Sequence, residues 1–297
     1  MTSPQLLTPI QWVDYELIDS GGGEKLERFG RFVVARPEPQ ALWNKSLPAS
    51  EWERADAAFR RDARSDERGE WICRPGMPEQ WWTGYRYKGM SLSMRLGLTT
   101  FKHVGLFPEQ AANWGFLYDS LRDMAARLGR PPRALNLFAY TGGATLAARA
   151  AGAEVTHLDS VKQVVSWARE NLERSGLDGV RWIVDDAAKF VRREVARGRR
   201  YDAIILDPPA YGRGPDGEKW VLEQHINPLL ADCARLLEPL NSLLLLNLYS
   251  MGLSALLARG LVNQLFGEQQ REEFGELYIP DRAGKALPLG VFYRFLR

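Results

Sequence analysis

The segment Leu135-Asn-Leu-Phe-Ala-Tyr-Thr-Gly-Gly143 is the strongest indication of the fold in this sequence. Its first five residues have the apolar pattern of a buried strand, and the glycine pair marks a turn that leads into a helix over 144–151. A second segment, Ile205-Leu-Asp-Pro-Pro-Ala-Tyr211, has the same strand pattern and ends in an acidic Pro-Pro loop. Together the two segments predict a parallel sheet with a ligand site at the carboxyl ends of its strands.

Strands and helices alternate around these two segments. The ranges predicted as strands are 135–139, 154–159, 181–184, 201–207, 242–248, 276–280 and 287–295. The ranges predicted as helices are 144–151, 162–176, 187–197, 218–237 and 255–266. This alternation predicts an α/β fold with a doubly wound, mainly parallel, seven-stranded Rossmann-like sheet. A tight turn joins the last two strands, which must therefore be antiparallel, and we expect an antiparallel edge strand.

The composition changes near residue 110, where short alternating runs rich in tryptophan and arginine give way to the strand–helix alternation. We therefore predict a small N-terminal α+β domain over 1–110, for substrate recognition, and a sheet domain over 111–297. The elements expected in the first domain are a strand over 29–36, a helix over 49–63, a charged turn over 62–69 and an antiparallel meander of 71–73, 81–88 and 90–96.

The bulk properties exclude several classes of protein. A net charge of +2 over 297 residues shows no overall preference for nucleic acid, so any basic surface must be local. Two cysteines cannot build a disulfide framework or a four-ligand zinc site by themselves. The N-terminus lacks the pattern of a signal peptide, and no apolar run reaches the length of a membrane span. We expect a cytoplasmic protein with no membrane partner.

The turn after the first strand is a candidate cofactor site. Gly142 and Gly143 have no Cβ, so a ligand can approach the backbone, and the following helix start offers free N–H groups to an anion. Asp159 ends the next predicted strand, where a carboxylate can accept hydrogen bonds from both hydroxyls of a ribose. The alternative is an ordinary strand–helix turn, with Asp159 capping the next helix. The absence of Gly-x-Gly-x-x-Gly argues against a dinucleotide.

The third strand ends in Val184-Asp-Asp-Ala187. Asp186 can accept a hydrogen bond from an adenine amino group, and the backbone N–H of Ala187 can donate one to the ring. An N-cap for the following helix explains Asp186 equally well.

The loop after the fourth strand is the candidate reacting end. Pro208 and Pro209 stiffen the backbone and remove two N–H donors, so the loop presents acceptors that suit a substrate amine. Asp207 opens the loop, and Tyr211 can stack on a planar ring. The alternative is a rigid turn with a core aromatic. The three histidines have no ligand spacing, so we expect no metal site.

These motifs resemble class I S-adenosylmethionine methyltransferases. They are most similar to the bacterial group that includes cytosine-C5 and guanine-N7 methyltransferases of large-subunit ribosomal RNA. The segment 102–110 resembles the part of that family that lies against the cofactor. The resemblance implies S-adenosylmethionine as cofactor, held by Phe107, Gln110, Asn136, Phe138, Tyr140, Thr141, Gly142, Gly143, Asp159, Ser160, Asp186, Ala187 and Asp207. It implies Asp207, Pro208, Pro209 and Tyr211 as catalytic residues.

The sequence departs from that group in two ways. It shows no evident counterpart of the family's RNA-binding PUA module. The cytosine-C5 members use a cysteine just after the fifth strand, and here 246–250 contains none. Attack on the cytosine ring requires a thiolate. Cys233 falls on the apolar face of a predicted helix, and Cys73 lies in the small domain. Methylation at nitrogen is therefore the better interpretation.

Three functions remain open at this point. The first is methylation of a base nitrogen in RNA, with ribosomal RNA as the expected substrate, because tryptophans and arginines interleave in the first hundred residues. The second is methylation of a protein or a small molecule, which the near-neutral charge favours. The third is a non-catalytic nucleotide-binding protein. The resemblance is also compatible with a homodimer.

Overall fold

Two β-sheets and two β-ribbons form the fold, and helices cover both faces of the larger sheet. The computed structural model describes residues 3–10, 12–62, 68–249 and 252–297. Within these ranges, the larger sheet has eight strands, the smaller sheet has five, and each ribbon is a pair of strands.

In chain order, the strands of the described ranges are β1 (Gln5–Leu7), β2 (Tyr15–Gly21), β3 (Glu24–Phe29), β4 (Phe32–Pro37), β5 (Ala57–Arg61), β6 (Gly69–Cys73), β7 (Gln80–Tyr87), β8 (Met90–Gly97), β9 (Arg133–Leu137), β10 (Glu154–Asp159), β11 (Val180–Val184), β12 (Ala203–Leu206), β13 (Tyr211–Arg213), β14 (Lys219–Val221), β15 (Leu243–Leu248), β16 (Arg271–Pro280) and β17 (Ala286–Leu296). The helices there are α1 (Ala49–Trp52), α2 (Ala111–Leu128), α3 (Gly143–Ala150), α4 (Lys162–Arg174), α5 (Ala187–Ala196), α6 (Leu222–Leu236) and α7 (Ala255–Phe266), with a short 3-10 helix at Pro108–Gln110.

The larger sheet has the order β1-β16-β17-β15-β12-β9-β10-β11. Strands β15, β12, β9, β10 and β11 are parallel, which confirms the predicted doubly wound, mainly parallel α/β sheet. Buried residues alternate between its two faces. Ala203 and Ile205 pack in the core that includes α2 and α3, whereas Ile204 and Leu206 pack in the core that includes α5, α6 and α7. Strands buried on both faces read as continuous apolar runs in the sequence.

Two details of the predicted sheet are wrong. The antiparallel strand is not at the edge, because β17 lies between β15 and β16 and is antiparallel to both. Its run from Val291 to Phe295 is buried throughout, which suits an interior position, whereas β16 alternates between buried and less buried residues. The described sheet also has an eighth strand, β1, paired with β16. A Cβ at Gly275 would lie 1.8 Å from the carbonyl oxygen of Gln5, so a glycine permits this pairing.

The small N-terminal unit contains more strand than predicted. The helix expected over 49–63 ends after one turn at Trp52, and Ala57–Arg61 is a strand instead. Pairing with β4 overrides the helical propensity, because Val33 and Asp56 exchange hydrogen bonds that start β5 beside that strand. Ala57 and Phe59 then point into the core, while Arg60 and Arg61 face solvent.

The expected three-stranded meander is divided between two structures. The range 71–73 belongs to β6, which pairs with β5 in the five-stranded sheet. The ranges 81–88 and 90–96 fall in β7 and β8, which form a separate antiparallel ribbon. Most of the charged turn predicted over 62–69 lies outside the described residues.

An aromatic cluster joins the β7–β8 ribbon to the larger sheet. The rings of Trp12, Tyr85 and Trp114 meet edge to face, with centroids 4.8 to 5.8 Å apart. Such pairs add to the stabilisation that comes from burying apolar area. Trp114 belongs to α2, so the cluster positions one wall of the space between α2 and the sheet.

A buried ionic network joins the five-stranded sheet to the β16–β17 turn. Asp19 is fully buried and accepts hydrogen bonds from the backbone N–H of Leu47 and the indole of Trp52. Its carboxylate also lies 2.9 Å from the ammonium of Lys285. Burial acts to raise the pKa of Asp19, but the Leu47 N–H and Lys285 outweigh burial and hold this pKa below its usual value. Asp19 is therefore ionised in the folded protein and depends on these partners.

Replacing Lys285 by methionine should lower the free energy of unfolding by about 3 kcal/mol, because a buried carboxylate then loses its cation. Urea unfolding at pH 7 measures the effect. A lowered pKa stabilises the fold above the unfolded pKa of Asp, so the deficit of Lys285→Met should shrink as the pH falls below about 4. Lys88→Met is the control, since it breaks the exposed Lys88–Asp119 pair and should unfold like the wild type. Equal stability of Lys285→Met and the wild type would contradict this account of the network.

Candidate functional site

A crevice opens at the carboxyl ends of β9, β12 and β15. The chain winds from β9 towards β11 on one side and places β12 and β15 on the other, so the crevice lies at the topological switch point of the sheet. Its walls come from the β8 ribbon, the segment before α2, α2 itself and the strand ends. The lining residues are Met94, Leu106, Phe107, Gln110, Asn113, Trp114, Asn136, Phe138, Ala139, Tyr140, Thr141, Gly142, Gly143, Ala144, Ile205, Asp207, Leu245 and Asn247.

The structure brings most of the sequence-predicted residues to this crevice. Those that line it are Phe107, Gln110, Asn136, Phe138, Tyr140, Thr141, Gly142, Gly143 and Asp207. Asp159, Ser160, Asp186 and Ala187 follow the neighbouring strands β10 and β11 and are not part of its lining. Their contacts with a cofactor stay a prediction.

The turn after β9 has an unusual backbone. Phe138 and Tyr140 have φ angles of 56° and 48°, in the left-handed region that bulky residues rarely adopt. Such a conformation costs about 1–3 kcal/mol per residue and persists only where its surroundings impose it. Here the backbone N–H of Ala139 donates to the carbonyl of Leu158 on β10 at 3.0 Å. Strain held in this way is typical of a binding site.

Asp159 holds the same turn through its side chain. Its carboxylate accepts hydrogen bonds from the N–H of Tyr140 at 2.9 Å and from the N–H of Val161 at 3.0 Å. Burial raises the pKa of Asp159, and these two backbone donors oppose the rise. The cap of α4 is Val161, with no side-chain capping bond, so Asp159 is not that cap. The carboxylate therefore links the ends of β9 and β10 beside the crevice.

The glycine pair lets the protein's own side chains pack closely. A Cβ at Gly143 would lie 2.3 Å from the ring of Trp114, and one at Gly142 would lie 3.1 Å from the Cβ of Ala168. Only glycine allows α3 to begin this close to α2 and α4. No side chain caps the first turn of α3, so its N–H groups face the crevice without a side-chain acceptor.

Asp207 places an acceptor at the end of β12. Burial raises the pKa of this carboxyl to about 7. No hydrogen bond from the described part of the chain reaches its carboxylate, and none reaches the carbonyls of Asp207 and Pro208. The expectation of free carbonyls fails one residue later, because the carbonyl of Pro209 accepts a hydrogen bond from the indole of Trp220 at 2.6 Å. A ligand with N–H groups or positive charge would complement the free acceptors.

Tyr211 does not reach the crevice lining. It begins β13, which forms a ribbon with β14, and its side chain is 57% exposed. The alternative of a core aromatic is therefore wrong. Trp220 of the same ribbon is the buried ring, and it packs on Phe138 with centroids 4.8 Å apart. The catalytic role of Tyr211 stays a prediction.

Asp186 caps α5, as the alternative interpretation held. Its carboxylate accepts a hydrogen bond from the N–H of Lys189 at 2.8 Å. Two apolar side chains lie at the same end of the sheet, because Val161 follows β10 and Val184 ends β11, and both are more than 40% exposed. An apolar, flat group would cover them with little loss of hydration.

Sequence reasoning missed a polar network at the crevice. Asn113 of α2 donates a hydrogen bond to Asn247 at 2.9 Å and accepts one from Arg294 at 3.0 Å. Arg294 also pairs with Glu273. The signal was present, since Asn247 interrupts the run of leucines in β15, but its partners lie more than a hundred residues away.

The histidines serve the interior and the loops. Burial lowers the pKa of His157 to about 3, and its ring pairs with the hydroxyl of Thr145 at 2.9 Å. Thr145 in turn accepts a hydrogen bond from the crevice residue Asn136. Burial also lowers the pKa of His103 to about 3.

Among residues 3–10, 12–62, 68–249 and 252–297, no three His, Cys, Asp or Glu side chains gather in a way that could hold a metal ion. In those ranges no helix is both long and apolar enough to cross a membrane.

Comparison with known proteins agrees with this geometry. The model of the S-adenosylmethionine-dependent methyltransferase family matches residues 46–264. A solved structure of a methyltransferase of this kind from Agrobacterium tumefaciens is 38% identical, with a TM-score of 0.89, and the alignment covers 99% of this chain and 94% of that one. A putative S-adenosylmethionine-dependent methyltransferase from Streptococcus mutans shares the fold at 17% identity, with a TM-score of 0.71 over 97% of this chain and 76% of that one.

Curated relatives match over shorter stretches. Ribosomal RNA large subunit methyltransferase K/L from Shewanella baltica is 30% identical over 158 residues, which is 52% of this chain and 21% of that protein. Ribosomal RNA large subunit methyltransferase I from Aeromonas hydrophila is 29% identical over 180 residues, 58% of this chain and 41% of that protein. The chain thus spans about a fifth of the first of these relatives and about two fifths of the second.

The family match covers most of the chain, and the ends of β9 and β12, two of the motifs that suggested the resemblance, line one crevice. This chain belongs to the S-adenosylmethionine-dependent methyltransferase family.

Proposed function

We propose that this protein transfers a methyl group from S-adenosylmethionine to a base nitrogen of RNA, with ribosomal RNA as the substrate. One observation carries the proposal. Asp207 lines the crevice, and no described residue donates a hydrogen bond to its carboxylate, to its carbonyl or to the adjoining carbonyl of Pro208. Such a set of acceptors suits an amine or a ring N–H of a base.

The residues of the crevice fit the methyl donor. S-adenosylmethionine supplies a methyl group that is already activated by a positively charged sulfur. Asp207 in its ionised form would complement that charge, and the positive sulfur would favour this form. The uncapped N–H groups of α3 would receive the carboxylate of the donor, as helix N-termini receive other anions. Val161 and Val184 offer apolar surface to the adenine ring, and Asp159 lies between them at the end of β10.

The residues of this chain would act on the acceptor by orienting it. Asp207 and the Pro208 carbonyl would accept hydrogen bonds from the N–H groups of the base and direct the nitrogen lone pair towards the methyl group. The proline pair keeps these acceptors in place, since each ring fixes its backbone φ angle. Holding two reactants in line removes much of the entropic barrier to transfer. Tyr211, on the adjoining ribbon, would contact the base or its neighbour.

Nitrogen is favoured over carbon because the cysteines lie elsewhere. Cys233 belongs to α6 and is buried in the core, where burial raises the pKa of its thiol. Cys73 belongs to β6 of the small sheet. Neither lines the crevice. Methylation of the cytosine ring at C5 would need a thiolate there.

RNA is favoured as the substrate because the curated relatives are named as ribosomal RNA methyltransferases.

Label transfer tests the proposed function. The purified protein and radiolabelled S-adenosylmethionine are incubated with three acceptor fractions in separate reactions. The fractions are total RNA from a strain lacking this protein, protein extract, and a small-molecule fraction. We expect label in RNA, and we expect nuclease digestion to release a base methylated at nitrogen. Label confined to protein or to small molecules would refute RNA as the substrate. A lack of label in every fraction, despite cofactor binding, would point to a non-catalytic protein.

Asp159→Ala should weaken binding of S-adenosylmethionine at least tenfold. The change removes a carboxylate that orders the turn after β9, and hydrogen bonds to charged groups contribute about 1.5–3 kcal/mol. Isothermal titration calorimetry measures the affinity, and thermal unfolding shows whether the variant is folded. Asp178→Ala is a matched control, since Asp178 is 94% exposed and should bind like the wild type. Wild-type affinity in a folded Asp159→Ala protein would remove this residue from the site.

Asp207→Asn should stop most methyl transfer yet raise stability at alkaline pH. The pKa of Asp207 rises from its usual value to about 7 in the folded state, so wild-type stability should fall as pH rises from about 4 to about 7. The variant lacks this loss, and its melting temperature at pH 8 should exceed that of the wild type by at least about 4 °C. At pH 4 the two should agree.

Burial also raises the pKa of Glu109 to about 7, and the negative charge of Asp207 adds to this rise, so Asp207→Asn should also relieve Glu109 and increase the gain at alkaline pH. Asp123→Asn, at an exposed position on α2, controls for loss of charge and should match the wild type. A variant at Asp207 that turns over normally would contradict the assignment.

A further inference from the structure

A groove on the small sheet carries exposed arginines beside an exposed aromatic ring. We call it the arginine groove, and its lining includes Arg60, Arg61, Asp62, Arg68, Glu70 and Phe101. It runs along β5 and β6. Phe101 forms one side, because its backbone bridges to Arg68. Its side chain is 42% exposed, so the ring is accessible from solvent.

Arg60 and Arg61 have no ion-pair partner among the described residues. Both side chains are exposed, and neither makes an ion pair or a hydrogen bond within the described part of the chain. Glu70 lies directly opposite Arg60 on the neighbouring strand, yet no ion pair joins them. The two guanidinium groups are therefore available to an external anion.

The arginine groove connects to the methyltransferase crevice through one short segment. Phe101 borders the groove, and Phe107, six residues later, lines the crevice. An extended chain of this length spans at most about 20 Å, so the two sites lie within a few nucleotides of each other. A strand of nucleic acid with one base at the crevice would reach the groove.

Lys102 adds positive charge between the two sites. Its ammonium has no ion pair or hydrogen bond within the described residues. Burial lowers the pKa of Lys102, and Glu38 opposes this change. The positive charges of Lys25, Arg61 and Arg36 lower it further. Lys25 and Arg36 are themselves paired with Glu38 and Glu27, whereas Lys102 has no such partner among the described residues, so an incoming anion would pair with Lys102.

Exposed guanidinium groups beside an exposed ring match single-stranded RNA. Arginines contact phosphates, while an aromatic ring stacks on bases that are unpaired. We propose that the arginine groove and Lys102 bind the sugar–phosphate backbone of a single-stranded RNA segment next to the methylated nucleotide, and that Phe101 stacks on one of its bases. The inference rests on the proposed RNA methyltransferase function and adds the path that the substrate takes.

The test uses the full chain and three variants. Arg60→Gln/Arg61→Gln removes two groove charges, Lys102→Gln removes the connecting charge, and Phe101→Leu removes the ring but no charge. Arg127→Gln/Arg199→Gln is the matched control. These exposed arginines precede β9 and β12, at the amino ends of the strands, and the crevice lies at the carboxyl ends. Fluorescence polarisation measures binding of a labelled 20-nucleotide single-stranded RNA of mixed sequence, and label transfer measures KM and kcat.

We expect the groove double variant to bind this RNA about tenfold more weakly. The slope of log K against log salt should become shallower by about 1.4, since each lost phosphate contact contributes about 0.7 for single strands. Lys102→Gln should reduce the slope by about half as much. Phe101→Leu should weaken binding without changing the slope. KM for RNA should rise with kcat near that of the wild type, while affinity for S-adenosylmethionine and the melting temperature stay unchanged.

The outcomes separate this inference from the proposed function. If the wild type methylates RNA and the groove variants keep its KM and salt slope, the groove is not the RNA path, although the function stands. If the wild type labels no RNA, the proposed function fails, and the polarisation data alone decide whether the groove binds RNA. Loss of binding to poly-glutamate with unchanged binding to RNA would overturn the inference in favour of an acidic protein partner.

Discussion

Strand β9 pairs in parallel with β10 on one side and with β12 on the other. This pairing fixes where the ends of the three strands, and with them the crevice, are placed. Residues 134–137 of β9 are buried on both faces, so the strand can only exist inside the sheet. Because parallel strands end at the same edge, the turn at 138–143, Asp159 and Asp207 meet there although they are distant in sequence. Every chemical property of the crevice follows from this shared edge.

The N-terminal unit completes the crevice that the sheet begins. Met94 and Leu106 form part of its wall, and Phe107 separates it from the cations around Lys102. The Asp19–Lys285 pair and the cluster around Trp114 hold this unit against the larger sheet. A rigid contact of this kind matters for a transferase, since small errors in placement reduce the rate of transfer greatly.

The two sites on the molecule have opposite charge. The crevice contains the unpartnered carboxyl of Asp207, which suits a cationic sulfur and an amine. Arg60 and Arg61 of the arginine groove, together with Lys102, make no ion pair with a described residue, and their charges suit phosphates. A near-neutral chain can carry two such sites, because its charges are segregated in space rather than in excess. Net charge alone therefore does not indicate the local charge of either site.

Local sequence patterns are enough to predict the central strands of the larger sheet, their carboxyl ends and most of the crevice lining, because long buried strands and glycine turns leave such patterns. Contacts between distant segments place β17 inside the sheet, add β1 to it, and make 57–61 a strand rather than a helix. The tertiary structure also decided that Asp186 caps α5, that Tyr211 is exposed, and that Asn113 meets Asn247. The physical reason is common to all of these. An apolar pattern records that a residue is buried, but its partner depends on contacts between segments that are far apart in the chain.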